Sequence, residues 1–368
     1  MNKTITALAI MMASFAANAS VLPETPVPFK SGTGAIDNDT VYIGLGSAGT
    51  AWYKLDTQAK DKKWIALAAF PGGARDQATS AFIDGNLYVF GGIGKNSEGL
   101  TQVFNDVHKY NPKTNSWVKL MSHAPMGMAG HVTFVHDGKA YVTGGVNQNI
   151  FNGYFEDLNE AGKDSTTIDK INAHYFDKKA EDYFFNKFLL SFDPSTQQWS
   201  YAGESPWYGT AGAAVVNKGD KTWLINGEAK PGLRTDAVFE LDFTGNNLKW
   251  NKLAPVSSPD GVAGGFAGIS NDSLIFAGGA GFKGSRENYQ NGKNYAHEGL
   301  KKSYSADIHL WHNGKWDKSG ELSQGRAYAV SFPWNNSLLI IGGETAGGKA
   351  VTDSVLISVK DNKVTVQN

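Results

Sequence analysis

The chain has 368 residues, of which 41% are hydrophobic and 19% are charged, a composition typical of a folded globular protein and unlike that of a disordered one. Lysine and arginine total 34 against 35 aspartate and glutamate residues, so no strong net charge favours nucleic acid or an anionic membrane as a partner. The chain has no cysteine, which excludes disulfides, thiolate metal sites and thiol nucleophiles.

The amino-terminal residues have the features of an export signal. Lys3 supplies a positive charge, an apolar run follows, and small residues up to Ala19 offer a cleavage site. The apolar run is too short to span a bilayer, and no later segment has the roughly 20 consecutive apolar residues that a spanning helix requires. We therefore predict a signal peptide over residues 1–19, a mature domain over residues 20–368, a periplasmic location and no membrane partner.

A repeated pattern covers the rest of the chain. Six times, a strand of small residues and an apolar run end in a glycine, and a second strand-like run follows. These glycines, usually the second of a pair, are Gly46, Gly92, Gly145, Gly227, Gly279 and Gly343. Their spacings of 46, 53, 82, 52 and 64 residues scatter upward from the kelch period of about 50. The pattern predicts an all-β fold, a single six-bladed kelch-type β-propeller with four strands per blade.

The sixth unit differs from the others at its end. In the first five units a tryptophan follows the last turn, at Trp64, Trp117, Trp199, Trp250 and Trp316. The sixth unit has none there, whereas residues 21–26 resemble the stretch that follows tryptophan elsewhere. Because a closed ring removes an exposed sheet edge, we predict that both termini meet in the sixth blade and that the amino-terminal segment completes it.

Two of the spacings are longer than the repeat requires. The spacing of 82 residues contains residues 151–186, whose apolar residues fall at helical intervals and predict short helices. The spacing of 64 residues contains residues 282–305. Because both insertions follow a glycine pair, the repeat predicts that they emerge on one face of the propeller. Long ordered insertions commonly build a binding face, and loops without function are the alternative.

Two acidic residues directly follow a glycine of the repeat, Glu228 and Glu344. Arg234 lies six residues beyond Glu228, in a polar loop on the insertion face. A carboxylate can act as a general base, and the planar guanidinium of arginine suits an anionic group. Glu228 and Arg234 are therefore candidate catalytic residues, and a simple loop ion pair is the alternative.

The chain has only four arginines. The other three, Arg75, Arg286 and Arg326, are therefore also candidate anion-binding residues. Arg75 and Arg326 each lie 17 residues before the second glycine of their pair. This shared position is as compatible with bracing a strand in the repeat as with binding a substrate. Arg286 lies in the second insertion.

The sequence lacks the motifs of several other kinds of site. His309 and His312 are three residues apart on a predicted strand, so they point to opposite faces and cannot bind one metal ion. No HExxH, Walker or GxGxxG context occurs, and no GxSxG elbow supports a hydrolase triad. We predict neither a metal site nor a cofactor.

Three features of the chain are more particular than the kelch repeat. They are the export signal, the stretch 226–234 that contains Glu228 and Arg234, and the insertion segment Ala173-His174-Tyr175-Phe176. With these features the whole chain resembles the periplasmic N-acetylneuraminate epimerase, or sialic acid mutarotase, family of Gram-negative bacteria. The resemblance implies an isomerase that converts the α anomer of N-acetylneuraminate into the β anomer without a cofactor, and a homodimer.

The resemblance also implies roles for individual residues. Glu228 would be the proton acceptor and Arg234 its catalytic partner. Because the substrate has a carboxylate beside the reacting carbon, we also expect Arg234 to hold that carboxylate, with Arg75, Arg286 or Arg326 as supporting contacts. The main alternative is a non-catalytic kelch propeller that binds a sialylated ligand or a protein partner. A sialidase lacks support because the Asp-box pattern Ser-x-Asp-x-Gly-x-x-Trp is absent, and a copper oxidase of the galactose oxidase type would need a cysteine.

Overall fold

The computed structural model describes residues 21–245, 248–258 and 260–368, so the predicted signal peptide over residues 1–19 lies outside the described residues. Within these ranges the chain forms six antiparallel four-stranded sheets, each built from one continuous stretch of sequence. In each sheet the strands follow one another in chain order from the inner to the outer edge. The all-β propeller predicted from the repeats is confirmed.

The sheets are called blades here and are numbered in chain order. The strands of the first three blades, from inner to outer, are Thr33–Asp37, Thr40–Gly44, Trp52–Asp56 and Ile65–Ala66; Thr79–Ile83, Asn86–Phe90, Asp106–Asn111 and Ser116–His123; and His131–His136, Lys139–Gly144, Phe188–Asp193 and Gln198–Glu204. Those of the last three blades are Ala214–Lys218, Lys221–Ile225, Val238–Asp242 and Lys249–Leu253; Phe266–Ser270, Ser273–Ala277, Asp307–His312 and Lys315–Glu321; and Val330–Trp334, Ser337–Ile341, Ser354–Lys360 and Lys363–Gln367.

Short strands, helices and 3-10 turns lie in the connections between the blade strands. Small strands lie in the connections at Arg75–Asp76, Ile93–Lys95, Thr101–Val103, Glu228–Lys230, Leu233–Arg234, Ala280–Phe282, Lys302–Tyr304, Glu344–Thr345 and Lys349–Ala350. The helices are α1 (Gln148–Ala161), α2 (Ser165–Phe176) and α3 (Ser285–Gln290), with 3-10 turns at Gly46–Ala48, Ala180–Tyr183 and Ala346–Gly348. In the described part of the chain, no helix is long and apolar enough to cross a membrane.

The inner strands form the centre of a closed ring. Each contacts the inner strands of the two neighbouring blades, and that of the sixth blade contacts that of the first. Small buried side chains permit this close approach, among them Ala35, Ala81, Ala214 and Ala267. The blades therefore surround one axis.

The repeated tryptophans fill the spaces between blades. Trp117 in the second blade packs on Trp52 of the first, with 5.3 Å between ring centroids, and its indole N–H donates to the carbonyl of Ala68. Trp199 of the third blade packs on Phe90 of the second at 5.9 Å. Trp117 and Trp199 thus each pack on the preceding blade.

The prediction that the amino-terminal segment completes the sixth blade is wrong. The outer strand of that blade, Lys363–Gln367, pairs with Ser354–Lys360 in a hairpin made entirely by the carboxyl-terminal end of the chain. The amino-terminal segment packs against the blade instead, where the backbone N–H of Leu22 donates to the hydroxyl of Ser354 at 3.2 Å. Phe29 also forms an antiparallel bridge with Val351, so the two ends of the described chain do meet at the sixth blade, as predicted. The outer strand itself needs only a backbone partner, which the hairpin supplies without a tryptophan.

The two insertions meet on one face. The backbone N–H of Ala180 in the first insertion donates to the phenol of Tyr289 in the second at 2.9 Å. The ring of Phe176 at the end of α2 stacks on Tyr295 with centroids 4.9 Å apart. Both the short helices and the common face predicted from the sequence are confirmed.

Candidate functional site

One residue of each blade lies at the centre of the face that carries the insertions, here called the hub face. These residues lie 15 positions before the last glycine of their repeat and have φ angles between 54° and 66°. They are Ser31, Gln77, Gly130, Gly212, Gly264 and Tyr328, called the hub ring. Backbone hydrogen bonds of 2.7 to 3.0 Å join them in sequence from Gln77 through Ser31, Tyr328, Gly264 and Gly212 to Gly130. The hub ring gives side chains beside it a rigid base.

The two carboxylates singled out by the repeat lie beside this ring. Glu228 pairs with Ala211 in the fourth blade, and Glu344 pairs with Ala327 in the sixth. In both pairs the partner alanine directly precedes a hub-ring residue in the sequence. The antiparallel pairing therefore fixes the backbone of each glutamate next to the axis.

Glu228 and Arg234 face each other across a short hairpin. Strand Glu228–Lys230 pairs with strand Leu233–Arg234, and Glu228 lies directly opposite Arg234. Their side chains form an ion pair, and Oε1 of Glu228 also accepts the backbone N–H of Gly232 at 2.6 Å. The structure thus brings together the two residues that the sequence marks as candidate catalytic residues.

The two members of the pair differ in exposure. The side chain of Arg234 is 6% exposed and that of Glu228 is 23% exposed. Burial lowers the pKa of Arg234, but the Glu228 carboxylate and the Tyr328 phenol raise it, and the net pKa lies above the ordinary value. The guanidinium therefore stays charged, and the accessible member of the pair is the carboxylate.

The turn of this hairpin requires glycine at position 232. Gly232 has a φ angle of 79°, and a β-carbon there would collide with the ring of His297 from the second insertion. Burial, together with the nearby Arg234 and Lys230, lowers the pKa of His297 to about 4. His297 is therefore neutral at pH 7 and packs on the hairpin without adding a charge beside Glu228.

Lys230 ties the hairpin to both insertions. It is fully buried, and its Nζ donates to the backbone carbonyls of Phe176 at 2.9 Å, of Lys178, and of Asn294 at 2.6 Å. The first carbonyl belongs to the last residue of α2 and the second lies two residues beyond it, where carbonyl groups lack partners within the helix. The sequence places Lys230 in the loop but gives no sign of this role, because its three partners are distant in the chain.

Replacing Lys230 by Met is expected to lower the free energy of unfolding at pH 7 by about 2 kcal/mol or more, since a carbonyl left unpaired costs about 1–3 kcal/mol. The carbonyls of Phe176 and Lys178 lose the Lys230 hydrogen bond. That of Asn294 keeps the N–H of Ala296. Burial lowers the pKa of Lys230 to about 8 from 10.5. Between these values the unfolded chain binds more protons than the folded chain, so this lysine makes stability rise with pH across that window. Denaturant unfolding at several pH values measures both effects, and the variant should lack the rise.

The control for this variant is Lys252→Met, which makes the same change at an exposed position on the outer strand of the fourth blade. It should change the free energy of unfolding by less than about 0.5 kcal/mol. Equal stability of the two variants would contradict the role assigned to Lys230.

Arg75 and Arg326 occupy equivalent positions in the second and sixth blades and make equivalent contacts. Each donates from Nη1 to the carbonyl of the first glycine of its pair, at 3.0 and 2.9 Å. Each also forms a close ion pair, with Asp106 and Asp353 respectively. Both arginines are almost completely buried. The geometry favours the bracing role over the substrate contact that the sequence also allows.

Arg286 is likewise occupied by an acidic partner. It lies in α3, and its guanidinium binds both carboxylate oxygens of Asp236 at 2.9 and 3.0 Å. Asp236 follows Arg234 closely in the loop of the fourth blade, so this contact fixes the second insertion to that loop. The geometry therefore supplies a structural role for Arg286 and no free guanidinium for a substrate carboxylate.

Glu344 belongs to a second charged group, the Glu344 cluster, formed with Lys30, Lys302 and Tyr304. Its carboxylate accepts from Lys30 Nζ at 2.7 Å, Lys302 Nζ at 2.6 Å and the Tyr304 hydroxyl at 2.5 Å. Burial raises the pKa of Glu344, but these three hydrogen bonds outweigh it and lower the pKa to about 2. Glu344 is thus held as an anion by its neighbours.

Sequence reasoning singled out Glu344 but missed the rest of this cluster. One signal was available: Lys30 directly precedes a hub-ring residue, at a position where four of the other blades have alanine. A lysine at a repeat position that is usually alanine indicates a side chain that makes a contact specific to its own blade. Lys302 and Tyr304 lie in the second insertion, where the repeat offers no such comparison.

A cleft of about 640 Å³ adjoins the hairpin. Its lining includes Phe184, Tyr208 and Ala229, the residue that follows Glu228. A second cleft of about 730 Å³ is lined by Arg75, Asp106 and other residues of the second blade. The first cleft is the one that reaches the hairpin of the candidate site.

Comparison with known proteins gives consistent results. The family model described as N-acetylneuraminate epimerase matches residues 22–366. The chain is 98% identical to the N-acetylneuraminate epimerase of Escherichia coli strain K12, over 368 residues and the full length of both. It is 97% identical, again over the full length of both, to the enzymes of that description from Escherichia coli O157:H7 and Shigella flexneri serotype 5b.

A solved structure described as "Structure of YjhT" is similar to this fold with a TM-score of 0.94. The two sequences are 98% identical, and the match covers 95% of this chain and 100% of that chain. The similarity thus extends over the propeller and both insertions.

Proposed function

Because the chain belongs to the N-acetylneuraminate epimerase family, we propose that Glu228 and Arg234 carry out its reaction at the hub face. The protein is an isomerase that acts on N-acetylneuraminate, a sialic acid, and interconverts its anomers. The observation that carries the assignment is the geometry of the pair: a partly exposed carboxylate beside the hub ring, bound to a buried guanidinium.

The chemistry of anomer exchange requires a group that moves a proton. The hydroxyl on the anomeric carbon loses its proton, the bond from this carbon to the ring oxygen breaks, and the open-chain ketone closes again on its other face. Glu228 accepts the hydroxyl proton when the ring opens and returns it when the ring closes. One carboxylate can serve both directions because its protonation state is the same before and after the reaction.

Arg234 positions this carboxylate and stabilises charge. Arg234 and the N–H of Gly232 both contact Oε1 of Glu228, so we assign the proton transfer to Oε2. As the hydroxyl proton leaves, negative charge develops on the anomeric oxygen. A fixed guanidinium beside that oxygen stabilises the charge without reorganisation.

The charges at the hub face suit an anionic sugar. The cations there are Lys30, Arg234 and Lys302, and they lie among the acidic residues Glu228, Glu344 and Asp76. The carboxylate of N-acetylneuraminate is bonded directly to the anomeric carbon. Attraction of that carboxylate to the Glu344 cluster and Arg234 therefore acts on the reacting centre and helps to orient it.

Proton NMR of freshly released α-N-acetylneuraminate tests the proposal. With the protein present, the α signal should decay faster in proportion to protein concentration, to the same final ratio of anomers as without it. A decay at the spontaneous rate would contradict catalysis and favour the non-catalytic alternative, a propeller that only binds a sialylated ligand or a protein partner.

We also propose that the protein works in the periplasm as a homodimer. The location rests on the export signal over residues 1–19, and the dimer rests on the family resemblance. Mass spectrometry of the periplasmic fraction should find a mature chain that begins at Ser20, and sedimentation should give twice the mass of one chain. A full-length chain in the cytoplasmic fraction, or the mass of a monomer, would contradict the respective proposal.

A further inference from the structure

Tyr328 has an unusual backbone conformation for a large residue. Its φ angle is 54°, at a hub-ring position where the third, fourth and fifth blades have glycine. The left-handed conformation costs a residue with a side chain roughly 1–2 kcal/mol. Hydrogen bonds with Gly264 at 2.8 Å and Ser31 at 2.9 Å hold the backbone there. Strain of this kind concentrates at functional sites, so the direction of this side chain is informative.

The side chain of Tyr328 extends across the fifth blade toward the catalytic pair. A β-carbon on Gly264 would collide with the Tyr328 ring, so this glycine provides the space that the ring occupies. Nζ of Lys302 lies 4.6 Å from the ring centroid. The guanidinium of Arg234 reaches the same part of the fifth blade, because its Nε donates to the carbonyl of Ala280 at 3.3 Å. Ala280 pairs with Ala263, the residue before Gly264. The Tyr328 phenol also contributes to the raised pKa of Arg234. Tyr328 therefore connects the Glu344 cluster to Arg234.

The reaction needs a second proton transfer that Glu228 alone does not supply efficiently. When the bond between the anomeric carbon and the ring oxygen breaks, the electron pair stays on the ring oxygen, which must gain a proton. The hydroxyl that loses a proton and the oxygen that gains one are two different atoms on the same carbon. A base and a separate acid, placed beside each other, can serve both atoms at once.

Resting on the proposed roles of Glu228 and Arg234, we propose that Tyr328 is a further catalytic residue, the acid that gives its phenolic proton to the ring oxygen. On opening, the anomeric hydroxyl proton moves to Glu228, the carbon–ring oxygen bond breaks, a carbonyl forms, and the ring oxygen takes the proton of Tyr328. On closing, the regenerated hydroxyl returns its proton to Tyr328, its oxygen attacks the other face of the carbonyl, and the carbonyl oxygen takes the proton from Glu228.

The neighbours of Tyr328 favour this role. Loss of its proton leaves a phenolate between two cations, Arg234 at the phenol and Lys302 at the ring. Fixed positive charges stabilise such an anion as it forms. Arg234 also contacts Glu228, so one guanidinium holds the base and lies against the acid. Gly212 and Gly130 continue the hub ring without side chains of their own.

Tyr328→Phe tests the proposal because it removes only the hydroxyl. We expect kcat for anomer exchange to fall by about 10- to 100-fold with KM changed less than about threefold, since a proton transfer contributes only in the transition state. The solvent isotope effect provides a second readout. The rate is measured in mixtures of H2O and D2O and plotted against the deuterium fraction. The wild-type plot should be curved because two protons move in the step, and the plot for the variant should be a straight line because one proton moves.

Tyr328→Gly is the second variant, and it keeps the backbone conformation without strain. It should lose as much kcat as Tyr328→Phe if the hydroxyl matters. The control is Tyr201→Phe, which removes an exposed phenol on the outer strand of the third blade and should leave kcat unchanged.

A kcat for Tyr328→Phe within twofold of wild type, or a curved deuterium dependence in that variant, would overturn the proposal. Failure of this inference is distinguishable from failure of the proposed function. In one outcome, the wild-type protein and Tyr328→Phe both accelerate exchange and Glu228→Gln does not. The assignment of Glu228 as the base then holds, and the assignment of Tyr328 as the acid fails. If wild-type protein gives no acceleration, the proposed function itself fails.

Discussion

Glu228→Gln is expected to reduce kcat for anomer exchange by at least about 100-fold, since general base catalysis contributes about 10²- to 10⁴-fold. Glutamine has the size of glutamate and can still accept the N–H of Gly232, but it cannot accept a proton at neutral pH. The measurement is the decay of the α-anomer signal by proton NMR at several substrate concentrations. Circular dichroism confirms the fold, because the buried Arg234 loses its charged partner in this variant.

Two further variants test whether catalysis depends on a carboxylate at position 228. Glu287→Gln makes the same change at an exposed position on α3 and should retain the wild-type rate. Glu228→Asp keeps a carboxylate at a changed distance and should retain more activity than Glu228→Gln. A Glu228→Gln protein with wild-type kcat would remove Glu228 from the mechanism.

Arg234→Gln is expected to affect both stability and catalysis. The side chain of Arg234 is 6% exposed and donates from Nε to the carbonyl of Ala280 at 3.3 Å. Its loss removes the charged partner of Glu228 and one of the hydrogen bonds that the Ala280 carbonyl accepts, while Glu228 keeps the N–H of Gly232. We expect the free energy of unfolding to fall by about 2–3 kcal/mol. This is less than the roughly 3–5 kcal/mol lost when a fully buried ion pair is broken, because Glu228 is partly exposed. We expect kcat to fall by about 100-fold, since a positioned donor to a developing oxyanion contributes about that much. Denaturant unfolding and the NMR assay measure the two effects.

A double-mutant cycle tests whether the two charges act as a unit. In Glu228→Gln/Arg234→Gln neither charge is left alone, so the double variant should be more stable than the sum of the two single losses predicts. Arg286→Gln, in a more exposed ion pair, is the comparator and should cost less than about 1 kcal/mol. Additive losses of stability in the cycle would contradict a coupled pair.

The fold was largely predictable because a propeller repeats one local pattern. Glycine ends the second strand of each of the six units, and tryptophan follows the last turn in five of them, so these recurring positions indicate the arrangement. The end of the sixth blade was not predictable in this way. Val364 and Val366 alternate with exposed polar residues in an outer strand that needs only backbone pairing. The absence of tryptophan from this strand wrongly indicated that the amino-terminal segment supplies the strand.

The candidate site was predictable where its residues lie close in sequence. Glu228 and Arg234 belong to one hairpin, and their separation is short enough to indicate a contact. Arg75 and Arg326 show the limit: their equal spacing predicts a shared position but does not distinguish bracing from binding until Asp106 and Asp353 are seen beside them.

Residues assembled from different blades gave weaker signals. Lys230 meets carbonyls from both insertions, and no local pattern predicts such contacts. Tyr328 is different, because alignment of the repeats places it where three blades have glycine. A tyrosine at a glycine position of a repeat is a signal that sequence reasoning can use, although its proximity to Arg234 depends on the fold.

The most direct test of the account is the crystal structure of the Glu228→Gln variant soaked with N-acetylneuraminate. The account predicts a sugar over the hub ring, with its anomeric hydroxyl within about 3 Å of the side chain at position 228, the reach of a hydrogen bond. A sugar bound only in the cleft lined by Phe184 and Tyr208, with its anomeric carbon beyond the reach of that side chain, would contradict it.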